Sequence, residues 1–219
     1  MSGIVRTAAL ARKDLLLEWR GQETLTAMST FALLVLLLLG FTIGATQEAA
    51  PAMLWVTLVI ATMLGIPRLV YTEVEQGAFE TLLLYPGSRE HLFWGKSLAL
   101  AALLGIVWVI LLAVAALFFN LDLWRRLPAL MGAGLLGAIG LSSTGTLFSV
   151  LLLHVRGREL LLPLLLLPVM LPVVLAGVRI TDAALAGGSA GVWLAVVGVF
   201  DILFLVASPL LFEAITEEA

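Results

Sequence analysis

The chain has 219 residues, of which 62% are hydrophobic and 12% charged; it carries a formal net charge of -3 and has no cysteine. Its mean hydropathy is +1.13, and its charged fraction is about half the ~25% of soluble domains. Such a composition excludes a water-soluble fold with a polar exterior. It also excludes disulfides, thiolate metal sites and cysteine-attached haem, and the charge balance gives no footprint for nucleic acid.

One membrane-spanning helix takes ~20 residues. The whole chain, residues 1–219, therefore reads as one all-α, polytopic membrane domain of about six spans with short loops. Residues 1–24 come first and are mixed rather than apolar. Arg6, Lys13 and Arg20 recur every seven residues and share a helical face, among apolar positions that include Val5, Leu16 and Trp19. The pattern predicts an amphipathic helix lying on the membrane surface with its basic side chains toward lipid phosphates. The alternative is a charged leader before the first span. A cleavable signal is not expected, because the first apolar run follows a charged stretch of ~20 residues, is not followed by a convincing small-x-small cleavage site, and is succeeded by further spans.

The predicted spans are 25–44, 52–71, 97–119, 127–153, 160–178 and 192–213. The second is expected to end at Ile66-Pro67-Arg68. The fourth carries Gly132, Gly134, Gly137, Gly140 and Gly145. Small residues four apart, Ala133 with Gly137 and Ala138 with Ser142, let helices approach closely, either within the chain or against a second copy of it. Pro163, Pro168 and Pro172 predict a kinked or broken fifth span.

Six spans put both termini on one side. Arg6, Arg12, Lys13, Arg20, Arg68, Arg89, Lys96, Arg156 and Arg158 fall on that side and Arg125, Arg126 and Arg179 on the other, 9 against 3 of the 12 basic residues. An excess of this kind marks the cytoplasmic side. Trp19, Trp55, Trp94, Trp124 and Trp193 fall near predicted span ends, as an interfacial aromatic belt requires.

The longest stretch outside the spans is 68–96. Within it, Val74, Ala78 and Leu82 make one helical stripe, with Glu73, Glu75 and Glu80 off it, and Tyr85-Pro86-Gly87 ends the helix. A short amphipathic helix of this kind can rest on the membrane interface or seat in a groove on a partner.

The segment Glu73-x-Glu75-Gln76-Gly77-x-Phe79-Glu80-x-Leu82-Leu83-Leu84-x-Pro86, preceded by Arg68-Leu69, resembles the loop between the second and third spans of the haem exporter protein B family, CcmB. The proline-rich fifth span and the leader are similar as well, so the resemblance covers nearly the whole chain. It implies an ABC-2-type permease in the bacterial inner membrane, with both termini cytoplasmic. Residues 72–88 would be a coupling helix, and Arg68, Glu73, Glu75, Gln76, Gly77, Phe79, Glu80, Leu83, Leu84 and Pro86 would form the contact with a cytoplasmic ABC ATPase. The implied partners are that ATPase, a second permease copy and the haem-handling membrane subunits of a cytochrome c maturation complex. ATP would be used by the partner, and haem would be a transported substrate rather than a bound cofactor. Export of haem and release of a haem-loaded periplasmic chaperone are both open. Other readings are an ABC-2 permease for a drug, lipid or glycan, and a membrane scaffold or intramembrane enzyme without a motor.

The chemistry in the residues themselves is sparse. Gly95-Lys96-Ser97 looks like the end of a phosphate-binding loop, but the first glycine of that motif would fall at Glu90. With Lys13 and Lys96 as the only lysines, the chain is not expected to be an enzyme with its own ATPase site. His91 and His154 are expected at span ends, where they are interfacial polar residues rather than haem ligands, and the methionines are expected to pack. Asp201 is the one clear carboxylate inside a span. Such a residue is either a functional site or a structural group hydrogen-bonded to another helix. Ser142, Ser143, Thr144 and Thr146 are compatible with hydrogen bonds between helices.

Overall fold

The computed structural model describes residues 3–75, 90–121, 126–153 and 155–217. Among them there are seven α-helices and no strand: α1 (Gly3–Gly21), α2 (Glu23–Ile43), α3 (Ala50–Glu75), α4 (Glu90–Phe118), α5 (Leu127–Leu151), α6 (Arg158–Ala186) and α7 (Gly191–Glu217). The six helices from α2 to α7 are long and apolar enough to cross a membrane. An even number of spans puts both termini at one end of the bundle, hereafter the terminal end.

Several helices run past their predicted limits. Pro67 does not stop α3, which continues to Glu75, and α6 is one helix from Arg158 to Ala186 with Pro163, Pro168 and Pro172 inside it. The predicted stop is overturned, and of the kinked or broken fifth span the break is overturned as well, for one physical reason. A proline deletes a single backbone hydrogen bond, whereas a broken helix in hydrocarbon leaves several groups unsatisfied at several kcal/mol each. Helix α4 starts at Glu90 rather than at 97. Its polar first turns extend beyond the apolar run that a hydropathy reading detects.

The centre of the bundle is α5, which packs on α3, α4, α6 and α7. Its glycines are the reason. The Cα of Gly134 lies against the Trp108 indole, that of Gly137 against Trp55, that of Gly140 against Asp201 and Val173, and that of Gly145 against Ile66. The glycine face thus serves packing within the chain. From the α6 side, Gly177 opens room for the same Trp55 ring. Trp55 and Trp108 meet at 5.3 Å between ring centroids. The Trp55 Nε1–H donates to Thr181 Oγ1 at 2.9 Å and the Trp108 Nε1–H to the Leu130 carbonyl at 3.0 Å, so neither polar tip is left unpaired in the apolar interior. Trp55 is therefore a core residue with 0% exposure and not a member of an interfacial belt, whereas Trp19 is 74% exposed.

Polar side chains in the spans mostly turn back on their own helices. Ser143 and Thr144 donate to the Gly140 carbonyl, and Thr62 to that of Leu58, while Ser142 reaches Ser97 of α4 at 3.3 Å. Helix α1 is more than a surface helix. Its chief neighbour is α4, and a Cβ on Gly95 would sit 2.6 Å from the Leu10 Cβ, so the glycine lets the two helices touch. One face of α1 packs on protein, through Leu10, Ala11 and Asp14, while Leu16, Leu17 and Trp19 stay exposed.

A side chain added at Gly137 or Gly177 should collide with the Trp55 ring. Gly137→Ala and Gly177→Ala are each expected to destabilise the folded protein by ~1–3 kcal/mol. Gly132→Ala, whose added methyl meets nothing within 4 Å, should be neutral. Thermal melting in detergent, followed by fluorescence-detected size exclusion, separates the three; equal melting of all of them would contradict the packing described.

Candidate functional site

Two groups of residues carry charge into the bundle. The first lies at the terminal end, where α1, α3 and α4 meet. Lys96 Nζ is 3.0 Å from Asp14 Oδ2, and both side chains are only 4% exposed. The same ammonium donates to the Leu69 carbonyl of α3 at 2.9 Å. Lys13, on the open side, lies 3.2 Å from Asp14 Oδ1. A carbonyl oxygen has a second lone pair beyond its helical bond, so Lys96 can take it without breaking α3. Removing either partner of a buried pair leaves a desolvated charge, a far larger penalty than the net value of the pair itself.

Further contacts fix the ends of these helices. The Arg68 Nη1–H donates to the Glu23 carbonyl at 3.2 Å and ties α3 to the start of α2. The Arg158 guanidinium stands 4.3 Å above the Tyr71 ring and donates to the Leu153 carbonyl at 3.2 Å. The Glu18 carboxylate accepts from the Leu25 N–H at 2.6 Å. That carboxylate caps the first turn of α2, where unpaired N–H groups and the helix dipole favour negative charge. Thr7 Oγ1 lies 3.4 Å from His91 Nδ1, and the Gly3 Cα packs on the same ring.

The site residues read from sequence are distributed unevenly. Arg68 lies in α3 ahead of its last two turns, and the α3 backbone runs on through Glu73 and Glu75. Gln76, Gly77, Phe79, Glu80, Leu83, Leu84 and Pro86 lie outside the described residues, as does His154. The Gly95-Lys96-Ser97 triplet lies inside helix α4 and is no phosphate loop; its lysine is committed to Asp14 and Leu69. Sequence reasoning missed the Asp14–Lys96 pair. The available signal was an acidic residue, Asp14, directly after Arg12 and Lys13 in a basic helix, with no indication that its partner lay 82 positions away.

Asp201 of α7 forms the second group. Its carboxylate is 4% exposed and packs against the Cα of Gly140. Neither oxygen has a hydrogen-bond partner among the described residues, so the interhelical hydrogen bond offered as the structural reading is not formed. On the same helix, the Ser208 hydroxyl is likewise buried without a partner.

These features define a class: an all-helical, six-span membrane protein whose N-terminal helix is fastened to one end of the bundle. The particular family follows from comparison with known sequences. The chain belongs to the CcmB protein family, whose model matches residues 5–217. It is 31% identical over 181 residues, 81% of each chain, to a Pseudomonas aeruginosa protein named heme exporter protein B. Proteins of the same name from Bradyrhizobium diazoefficiens and Haemophilus influenzae are 27% and 26% identical, covering 82% and 92% of their own lengths and 82% and 91% of this chain.

A charged side chain within a span costs ~2.5–3.5 kcal/mol on insertion scales, and Asp201 has no bond to lose. Asp201→Asn is therefore expected to keep the melting temperature or raise it. A clear drop in thermal melting would show that the carboxylate has a stabilising partner.

Proposed function

We propose that this chain is the membrane-spanning subunit of a haem-exporting ABC transporter that serves c-type cytochrome biogenesis in a bacterial inner membrane. The observation that carries the proposal is the extent of the family match, residues 5–217. It takes in every span and the N-terminal helix, rather than a single motif. The names of the relatives in Pseudomonas aeruginosa and Haemophilus influenzae supply the substrate class.

Energy must enter through another polypeptide on this reading. The chain has only two lysines, Lys13 and Lys96, and both are engaged with Asp14. A separate cytoplasmic ATPase would dock on residues 72–88 as a coupling helix, with Glu73, Glu75 and Glu80 as its charged rim and Phe79, Leu83 and Leu84 as apolar anchors. Arg68 supports this role by tying the end of α3 to α2 just ahead of that segment. Six spans make half of a transport unit, so a second copy completes it, and haem-handling membrane subunits receive or present the cargo. Both termini face the cytoplasm, in keeping with 9 basic residues on that side against 3. Haem is substrate here, and the work of the cycle is its export or the release of a loaded periplasmic chaperone. Asp201, without a hydrogen-bond partner among the described residues, is the intramembrane polar group most suited to responding to such a cycle.

Extraction with mild detergent from the native host should recover a P-loop ATPase with this chain. Reversing the charges of Glu73, Glu75 and Glu80 should weaken that association by roughly tenfold while leaving membrane insertion intact. Deleting the reading frame should abolish c-type cytochromes, scored by haem staining. Retained cytochromes would sink the proposal, and a chain that always purifies alone would sink its motor.

A further inference from the structure

The Asp14–Lys96 pair lies where the terminal helix meets both flanks of the segment 76–89. Leu69 belongs to the end of α3, which leads into that segment, and Lys96 to the second turn of α4, which leads out of it. A single ammonium holds all three elements, at 3.0 Å to the Asp14 carboxylate and 2.9 Å to the Leu69 carbonyl. Gly95, next to Lys96, lets Leu10 of α1 sit directly on α4. We infer that Asp14 is a positioning residue, through which α1 follows any shift of the two flanks and carries it to α2.

Charge and burial make the connection stiff. The pair is hidden from water and salt, so counterions do not screen it. If α4 moves relative to α3, either Asp14 follows or the Lys96 ammonium gives up its carboxylate in a dry site. Movement of α1 then has a direct outlet. Gln22, in the left-handed region at φ 54°, is the sole residue between α1 and α2, and Glu18 grips the start of α2 through the Leu25 N–H. The other side of α1, with Leu16, Leu17 and Trp19, is exposed, so among the described residues only one face of the helix is held by protein. Lys13 shares the Asp14 carboxylate from the outer side, so the acid is held between two cations.

The inference rests on the transporter reading above, and its test keeps the two apart. Asp14→Asn, which takes the carboxylate away from Lys96, is compared with the apolar pair Asp14→Leu/Lys96→Met, which restores a matched interior. Each is expressed in the complete complex in its native host. Three quantities are measured: recovery of the ATPase with the chain, ATP hydrolysis in membranes, and c-type cytochrome formed. The apolar pair should assemble and hydrolyse ATP as the unaltered complex does, yet form about five- to tenfold less cytochrome per ATP. Asp14→Asn should lose assembly as well. A full cytochrome yield per ATP in the apolar pair would overturn the inference, as would failure of that pair to assemble, or an Asp14→Asn protein indistinguishable from the unaltered one. If the unaltered complex contains no ATPase or makes no c-type cytochrome, the transporter reading fails instead.

Discussion

In a bilayer, lipid tails are as apolar as leucine, so hydrophobic burial gives helices little reason to prefer one another. What remains is close backbone contact and polar groups that must find partners. In this protein both are concentrated on α5. Four of its glycines, at 134, 137, 140 and 145, receive Trp108, Trp55, Asp201 and Ile66 from the surrounding helices. A glycine inside a helix costs ~1 kcal/mol against alanine. Here that cost is offset by two indoles seated directly on the backbone, each with its N–H bonded to a neighbouring helix or carbonyl. The arrangement of α3, α4, α6 and α7 around α5 follows from those seats.

How legible this was depended on the kind of signal. The six spans rest on composition summed over about twenty residues, and they are present in the structure. The glycine face was legible as a small-residue surface, but its partner was not. Helix period shows which residues share a face and leaves open which tryptophan will land on it. Trp55 illustrates the limit: its position near a span end suits an interfacial belt, yet Gly137 and Gly177 open a slot that draws it into the core. The proline-rich α6 shows the opposite limit: local propensity argued for a kink or a break, and the hydrocarbon environment forbids the break. The candidate site divides along the same line. The acidic motif was visible as a string of residues, whereas the pairing of Asp14 with Lys96 depends on where α1 docks, and neither residue's neighbours announce it.

Among the described residues, two buried carboxylates contrast in a way that bears on mechanism. Asp14 is buried at the terminal end with its countercharge at 3.0 Å. Asp201 is buried in a span, and among the described residues neither oxygen has a hydrogen-bond partner. A paired group transmits displacement, since separating the pair is costly in every geometry except the bonded one. An unpaired group responds to charge and solvation, because any proton, cation or water that reaches it changes its energy strongly. One residue is suited to carrying mechanical change at the surface of the bundle, the other to sensing its consequences inside. They sit on different helices, α1 and α7, with α4 and α5 between them in the contact network.

That network limits how force applied at the flanks of 76–89 can spread. Helices α3 and α4 both touch α5 and so cannot move far without disturbing the tryptophan seats, whereas α1 touches chiefly α4 and has one side open. The yielding route therefore runs outward, from Leu69 and Lys96 through Asp14 into α1, and on to α2 across Gln22. Helix α2 is also among the least buried of the six spans, with 22% of its apolar window enclosed against 72% for α5. A load at the terminal end meets the closely packed centre on one side and, on the other, a helix held on one face only, and the buried Asp14–Lys96 pair together with the Leu10–Gly95 contact joins that load to α1.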